Sequence, residues 1–152
     1  MSRRRTFLRF WLPAIAWMAL IFCASGDVLS HQRTSRFLGP LLHWLLPFLS
    51  QASLDVIEFC IRKTGHLTEY GVLALLLWRA VRKPVRRDPR PWSWPIVRLA
   101  WLGTVLYAAT DELHQFFVPT RQSMVQDVGI DALGAGVALL LLWAIGRWRK
   151  HW

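Results

Sequence analysis

EFCIRKTGHLTEYGVLALLLW, residues 58–78, is the stretch on which the fold turns. Its second half, Gly71–Trp78, is wholly apolar and runs into Arg79, whereas its first half carries Glu58, Arg62, Lys63, His66 and Glu69. As a helix it covers about 30 Å, the thickness of a bilayer's hydrocarbon core. A stretch dry at one end and charged at the other is either a core helix or a membrane span with a polar half. Three further stretches approach spanning length: Leu8–Ala24, Ile96–Phe117 and Asp127–Ile145. The first and last are nearly uninterrupted; Ile96–Phe117, like residues 58–78, contains ionisable residues. Hydrophobic residues make up 54% of the 152-residue chain, mean hydropathy is +0.28, and there are ten Trp, too many for an ordinary soluble domain of this size.

The charges choose between the two readings. Net charge is +10, and a basic chain first suggests nucleic acid. The basic residues, however, alternate with the apolar stretches. The N-terminus, the Arg79–Arg98 loop and the C-terminus hold fourteen of the nineteen Lys and Arg residues and a single acid, Asp88, for a net +13; the remaining segments sum to −3. That is the positive-inside pattern. It predicts an all-α polytopic membrane bundle of four transmembrane helices, with both termini and the basic loop in the cytoplasm. Nucleic acid is excluded as a partner and membrane lipids are expected instead, the basic loop attracting anionic lipid at ~1 kcal/mol per charge. Arg3–Arg5, an apolar stretch and Ala24-Ser25-Gly26 also fit a secretory signal. Cleavage there would leave three spans and destroy the charge register, so the stretch is read as a span.

The connections follow. Pro13 falls in the first turns of the first helix, and Ser25-Gly26-Asp27 ends it. The long outer connection contains Phe37–Leu49, apolar but broken by Gly39, Pro40 and Pro47, so it is expected to lie in the interface or re-enter rather than cross. The second helix is expected to start at Ser53 as N-cap, and the fourth at Asp127. Gly129, Gly134 and Gly136 would allow close helix approach. Trp11, Trp78, Trp92, Trp94, Trp101, Trp148 and Trp152 read as an interfacial belt, and Cys23 and Cys60 as packed thiols.

The ionisable residues within the spans carry the functional question. Counting from Arg79, Glu69 lies about 15 Å deep, His66 about 20 Å and Lys63 about 24 Å. From Ile96, Asp111 and Glu112 lie about 22–24 Å in, and Asp131 lies about 6 Å below Asp127. Each such group costs ~2.5–3.5 kcal/mol at membrane depth even on a lenient scale. They must therefore face one another or a wet outer pocket. Lys63, His66, Glu69, Asp111, Glu112, Gln115, Asp127 and Asp131 are expected to converge there, with Arg121 closing the site from the loop above. Lys63 and Arg121 would hold an anion, and the carboxylates and His66 would serve acid–base work or metal binding. Asp111, Glu112, Asp127 and His66 could make an oxygen-rich divalent site, although the Cys/His spacing of soluble metal sites is absent. The competing reading is mutual neutralisation: Lys63 with Asp111 or Glu112, and Arg121 with Asp127, fixing helix register only.

These residues also carry a resemblance. RKTGHLTEYGVLALLL (62–77), TDELHQFFVPTRQSMVQDVGIDALGAG (110–136) and WMALIFCASG (17–26) resemble the VanZ-like family of bacterial membrane proteins, chiefly across Ile61–Gly136. The resemblance marks Lys63, His66, Glu69, Tyr70, Asp111, Glu112, Gln115, Arg121 and Asp127. The family commonly has Asn where this chain has Asp131, and a late Gly where it has Ala138. The resemblance implies one transmembrane domain over the chain, a bacterial inner-membrane location, and a cell-envelope role in a family associated with resistance to teicoplanin. It implies no agreed reaction, cofactor or metal. The leading expectation is binding of, or chemistry on, an anionic lipid or glycolipid head group of the envelope. The alternatives are a structural or partner-binding membrane module and a proton- or ion-coupled carrier.

Overall fold

The computed structural model describes residues 3–26, 31–85, 88, 90–118 and 124–152, without the side chains of residues 3 and 31–34. Among the described residues there are six helices and no strand: α1 (Arg3–Phe10), α2 (Leu12–Ser25), α3 (His31–Leu45), α4 (Gln51–Arg82), α5 (Trp94–Phe116) and α6 (Val125–Trp148). α4, α5 and α6 pack mutually; α2 lies against α4 and α5, and α3 lies on α4.

The helix limits follow local chemistry, with some departures from expectation. The first apolar stretch is two helices meeting at about 45° around Trp11. Pro13 sits at the start of α2, where its ring clashes with the preceding turn and its missing N–H costs least. α2 ends at Ser25 and Gly26, as expected. α3 runs through Gly39 and Pro40 to Leu45 instead of breaking there. Pro40 is on the exposed side, where surroundings can satisfy the carbonyl its ring leaves unpaired. α4 starts earlier than expected. Ser50, not Ser53, is the N-cap, its Oγ accepting from the Ser53 N–H at 3.3 Å. Asp127 is not a cap either: Met124 holds that place, and Asp127 lies in the first turn of α6, where the helix dipole favours a carboxylate.

α4 and α6 cross almost backbone to backbone. A Cβ on Gly134 would stand 2.8 Å from Leu67 Cα and 2.9 Å from its carbonyl carbon; one on Gly71 would stand 3.3 Å from Ala138 Cβ. The neighbouring glycines do not share this role. Gly129 has nothing within 4 Å, and Gly136 meets only Trp101 Nε1 at 3.7 Å. Around the crossing, Ala74, Trp78, Val97, Ala100, Ala135 and Leu139 form one apolar cluster, and Ile21, Tyr70, Leu73 and Ala108 another.

One end of the bundle is closed by tryptophan. Trp78 is buried and stacks on Trp92 at 5.9 Å, and Trp152 folds back against Trp92 at 4.9 Å. The Trp152 indole donates to the Trp143 carbonyl and fills the space that Gly146 leaves open. Arg82 is buried beside them, its guanidinium over the rings of Trp78 and Trp152 while it donates to the Arg90 and Pro91 carbonyls. The belt reading is therefore corrected for Trp78, Trp92 and Trp152, whose faces meet each other. Trp94 and Trp148 remain exposed. Asp88 takes a forked pair of hydrogen bonds from Arg90, which hold its carboxyl below the usual carboxylate range. Cys23 and Cys60 are free and exposed, which overturns the packed-thiol reading.

Among the described residues α6 is the one helix long and apolar enough to cross a membrane; α1 and α2 reach that length and apolarity only together, as a bent pair that is either a broken span or a re-entrant loop. α4 and α5 are long, but each carries a polar half at the end opposite the tryptophans.

Candidate functional site

The polar end is built on two rungs between α4 and α6. Lys63 Nζ pairs with Asp127 Oδ1, and one turn deeper His66 Nδ1 stands 3.5 Å from Asp131 Oδ1. The spacing follows from helix periodicity: 63 to 66 and 127 to 131 each advance about one turn along facing stripes. The expected pairing of Lys63 with Asp111 or Glu112 is thus replaced by Asp127. Those two acids lie on α5, whereas the tight contact at Gly134 brings α6 against α4.

Asp111 is the hub that joins α2, α4 and α5. It is 3% exposed, and its Oδ2 accepts from Ser25 Oγ on α2 (2.6 Å), Tyr70 Oη on α4 (3.0 Å) and Gln115 Nε2 on α5 (3.0 Å). All three donors are neutral. Among the described residues its Oδ1 is enclosed without a hydrogen-bond partner, and so are Asp131 Oδ1 and His66 Nδ1. A buried polar atom left unpaired costs about 1–3 kcal/mol; that cost falls on Asp111 Oδ1, whereas His66 Nδ1 and Asp131 Oδ1 face each other at 3.5 Å.

The remaining site residues divide. Glu112 is buried, and its Oε1 accepts from the Met124 N–H at 2.6 Å, which ties α5 to the start of α6. Glu69 bears on His66 electrostatically, and its backbone carbonyl accepts from the Trp17 indole at 3.0 Å. Arg121 lies outside the described residues, so its proposed closing role has no geometry. No group of three or more His, Cys, Asp or Glu among the described residues is arranged to hold a metal ion, which removes the support for the divalent site of Asp111, Glu112, Asp127 and His66.

Two residues of this end were missed by sequence reasoning. Ser25 reads as a helix terminator, yet its hydroxyl makes the shortest bond to Asp111. Glu58 reads as the start of a span; it is buried, takes the Ser35 hydroxyl from α3, and pairs with Arg62 at 3.4 Å. The position of Ser25 in the 17–26 segment was the one available signal for it. Only the i, i+4 spacing to Arg62 marks Glu58 locally; its partner on α3 lies 23 residues away.

No curated protein and no solved structure matches the chain. The sequence pattern of the VanZ/LLP1 family matches residues 10–146. That match takes in both rungs, the Asp111 hub, Ser25 and all but the first and last residues of the bundle, so the chain belongs to the VanZ/LLP1 family.

Proposed function

We propose that this chain is a four-span inner-membrane protein whose polar end faces outward and binds, or acts on, an anionic lipid or glycolipid head group. Family membership suggests a cell-envelope role related to glycopeptide resistance. The observation that carries the finer reading is the asymmetry of the bundle. Lys63, His66 and the carboxylates of Asp111, Asp127 and Asp131 gather at one end, and packed indoles around Arg82 close the other, where Trp78 Nε1 and Trp92 Nε1 are also enclosed without a hydrogen-bond partner among the described residues. Such one-sided access suits a site for an envelope ligand and argues against a carrier, which needs entry from both sides. An anion fits because Lys63 keeps donors to spare: an ammonium has three, and Asp127 accepts one. Arg62 and His66, both partly open, lie on the same stretch of α4.

The topology has its own expected result. Cytoplasmic reporters fused at Arg87 or after Trp152 will be active, and export-dependent reporters at Arg33 or Thr120 will be active. α3 fits the outer interface, burying Leu42 while Phe37 and Trp44 are exposed. Cysteine at Leu41 or Leu45 will therefore escape an impermeant thiol reagent added from the cytoplasmic side. The opposite reporter pattern, or labelling at either position from the cytoplasm, removes the four-span arrangement.

The ligand reading is tested by native mass spectrometry of protein purified without delipidation. Phosphatidylglycerol added to the sample should bind the wild-type chain at least about tenfold more tightly than phosphatidylcholine, an advantage of about 1.4 kcal/mol. The double variant Lys63→Met/Asp127→Leu, which removes the cation together with its partner, should abolish the difference while leaving the protein folded. Equal binding of the two lipids, or an advantage that survives in that folded variant, overturns the head-group site.

A further inference from the structure

We infer that His66 is the proton acceptor of this site, serving a hydroxyl group on a bound ligand or a water, and that Asp131 is the positioning residue that holds its ring. The inference rests on the outward-facing site proposed above and names the chemistry done there.

The two ends of the imidazole have different surroundings. Nδ1 is enclosed, has no hydrogen-bond partner, and stands 3.5 Å from Asp131 Oδ1, itself enclosed and unpartnered. Asp131 is 2% exposed and fixed in α6 one turn below the Lys63–Asp127 pair. Two buried unpaired atoms that face each other are satisfied together by a small rotation of the ring, and bonds between a base and its orienting carboxylate are often long before a ligand is bound. Among the described residues Nε2 has no hydrogen-bond partner, it is not one of the enclosed atoms, and the His66 side chain is 23% exposed. A proton on Nδ1 pointing at a carboxylate leaves the lone pair on Nε2, which is the tautomer a base requires.

The step balances simply. The O–H bond of the ligand hydroxyl or water breaks, its electron pair stays on oxygen, and the proton forms the Nε2–H bond. Asp131 faces the resulting imidazolium from α6, with Asp127 beside it on the same helix and Glu69 nearby on α4. Asp111 cannot fill this place, because its hydrogen bonds all run to one oxygen from neutral donors and none comes from an imidazole.

The test reads the ring directly. The full chain, with ring-15N histidine, is reconstituted in phosphatidylcholine nanodiscs at about pH 8.5, where imidazoles are ordinarily neutral. The His66 signals are assigned by their loss in His66→Ala. The expected spectrum has His66 in the Nδ1–H form, and diethyl pyrocarbonate should form an adduct at His66. In Asp131→Asn, the isosteric change, the preference for Nδ1–H should be lost. A wild-type ring in the Nε2–H form, or one that diethyl pyrocarbonate does not modify, overturns the proton acceptor. A preference that survives Asp131→Asn overturns the positioning role; should that variant fail to fold, the wild-type spectrum and adduct decide alone. Since no anionic lipid is present, loss of lipid preference with this spectrum intact counts against the head-group reading and not against the pair.

Discussion

Lys63→Met is expected to destabilise the folded protein by about 3–5 kcal/mol, because it leaves the Asp127 carboxylate at a largely buried position without its cation. The side chains are 20% and 12% exposed, so water screens the pair only in part. Asp127→Leu should destabilise similarly by stranding the ammonium. The double variant Lys63→Met/Asp127→Leu should recover most of the loss, since replacing a whole buried pair by apolar side chains is often neutral or better. Thermal midpoints and folded yields of the three variants in mild detergent measure this. The cycle also separates ligand binding from bundle support. If the double variant is folded and has lost its preference for phosphatidylglycerol, Lys63 serves the ligand; if it is folded and keeps that preference, the pair is a strut between α4 and α6. A stable Lys63→Met single variant would show that Asp127 does not depend on this cation.

Gly134→Ala should be at least as damaging, at about 3 kcal/mol or more, although it adds one methyl group. Overpacking ordinarily costs about 1–3 kcal/mol because neighbouring side chains can shift. Here the added carbon meets the backbone of Leu67, at 2.8 Å from its Cα and 2.9 Å from its carbonyl carbon, and backbone atoms yield only if α4 and α6 separate. Both rungs of the polar end span that contact, so separation would open them too. Gly129→Ala on the same helix is the control. Nothing lies within 4 Å of its added carbon, and helix propensity favours Ala over Gly by up to about 1 kcal/mol, so that variant should be unchanged or slightly more stable. Size-exclusion profiles and melting curves of the two variants, run side by side, decide it. Equal behaviour would mean that the crossing is looser than these distances state.

The helical class, the charge asymmetry and most of the residues at the polar end were legible in the sequence because each depends on local composition or on spacing within one helix. Apolar stretches announce long helices, basic residues cluster between them, and Lys63, His66, Asp111, Asp127 and Asp131 recur at helical spacing within largely apolar stretches, where an ionisable side chain needs company. Partner choice was not legible. It depends on which helix faces which, and the contact at Gly134 decides that by bringing α6 against α4. Lys63 therefore meets Asp127, His66 meets Asp131, and Asp111 is left to Ser25, Tyr70 and Gln115. Three glycines looked equivalent along the α6 sequence, and only the packed structure shows that one carries the close approach. The tryptophans follow the same logic. Their number marks a chain rich in interfacial aromatics, but whether an indole faces lipid or another indole depends on where the chain returns in space, and Trp152 returns beneath Trp78 and Trp92 through contacts that no periodicity encodes. Sequence alone determined the helical class and the end of the bundle that must be polar, since those follow from hydrophobicity and rise per residue; tertiary structure decided which charge neutralises which, since electrostatic pairing falls off within a few ångströms and depends on the three-dimensional meeting of separate helices.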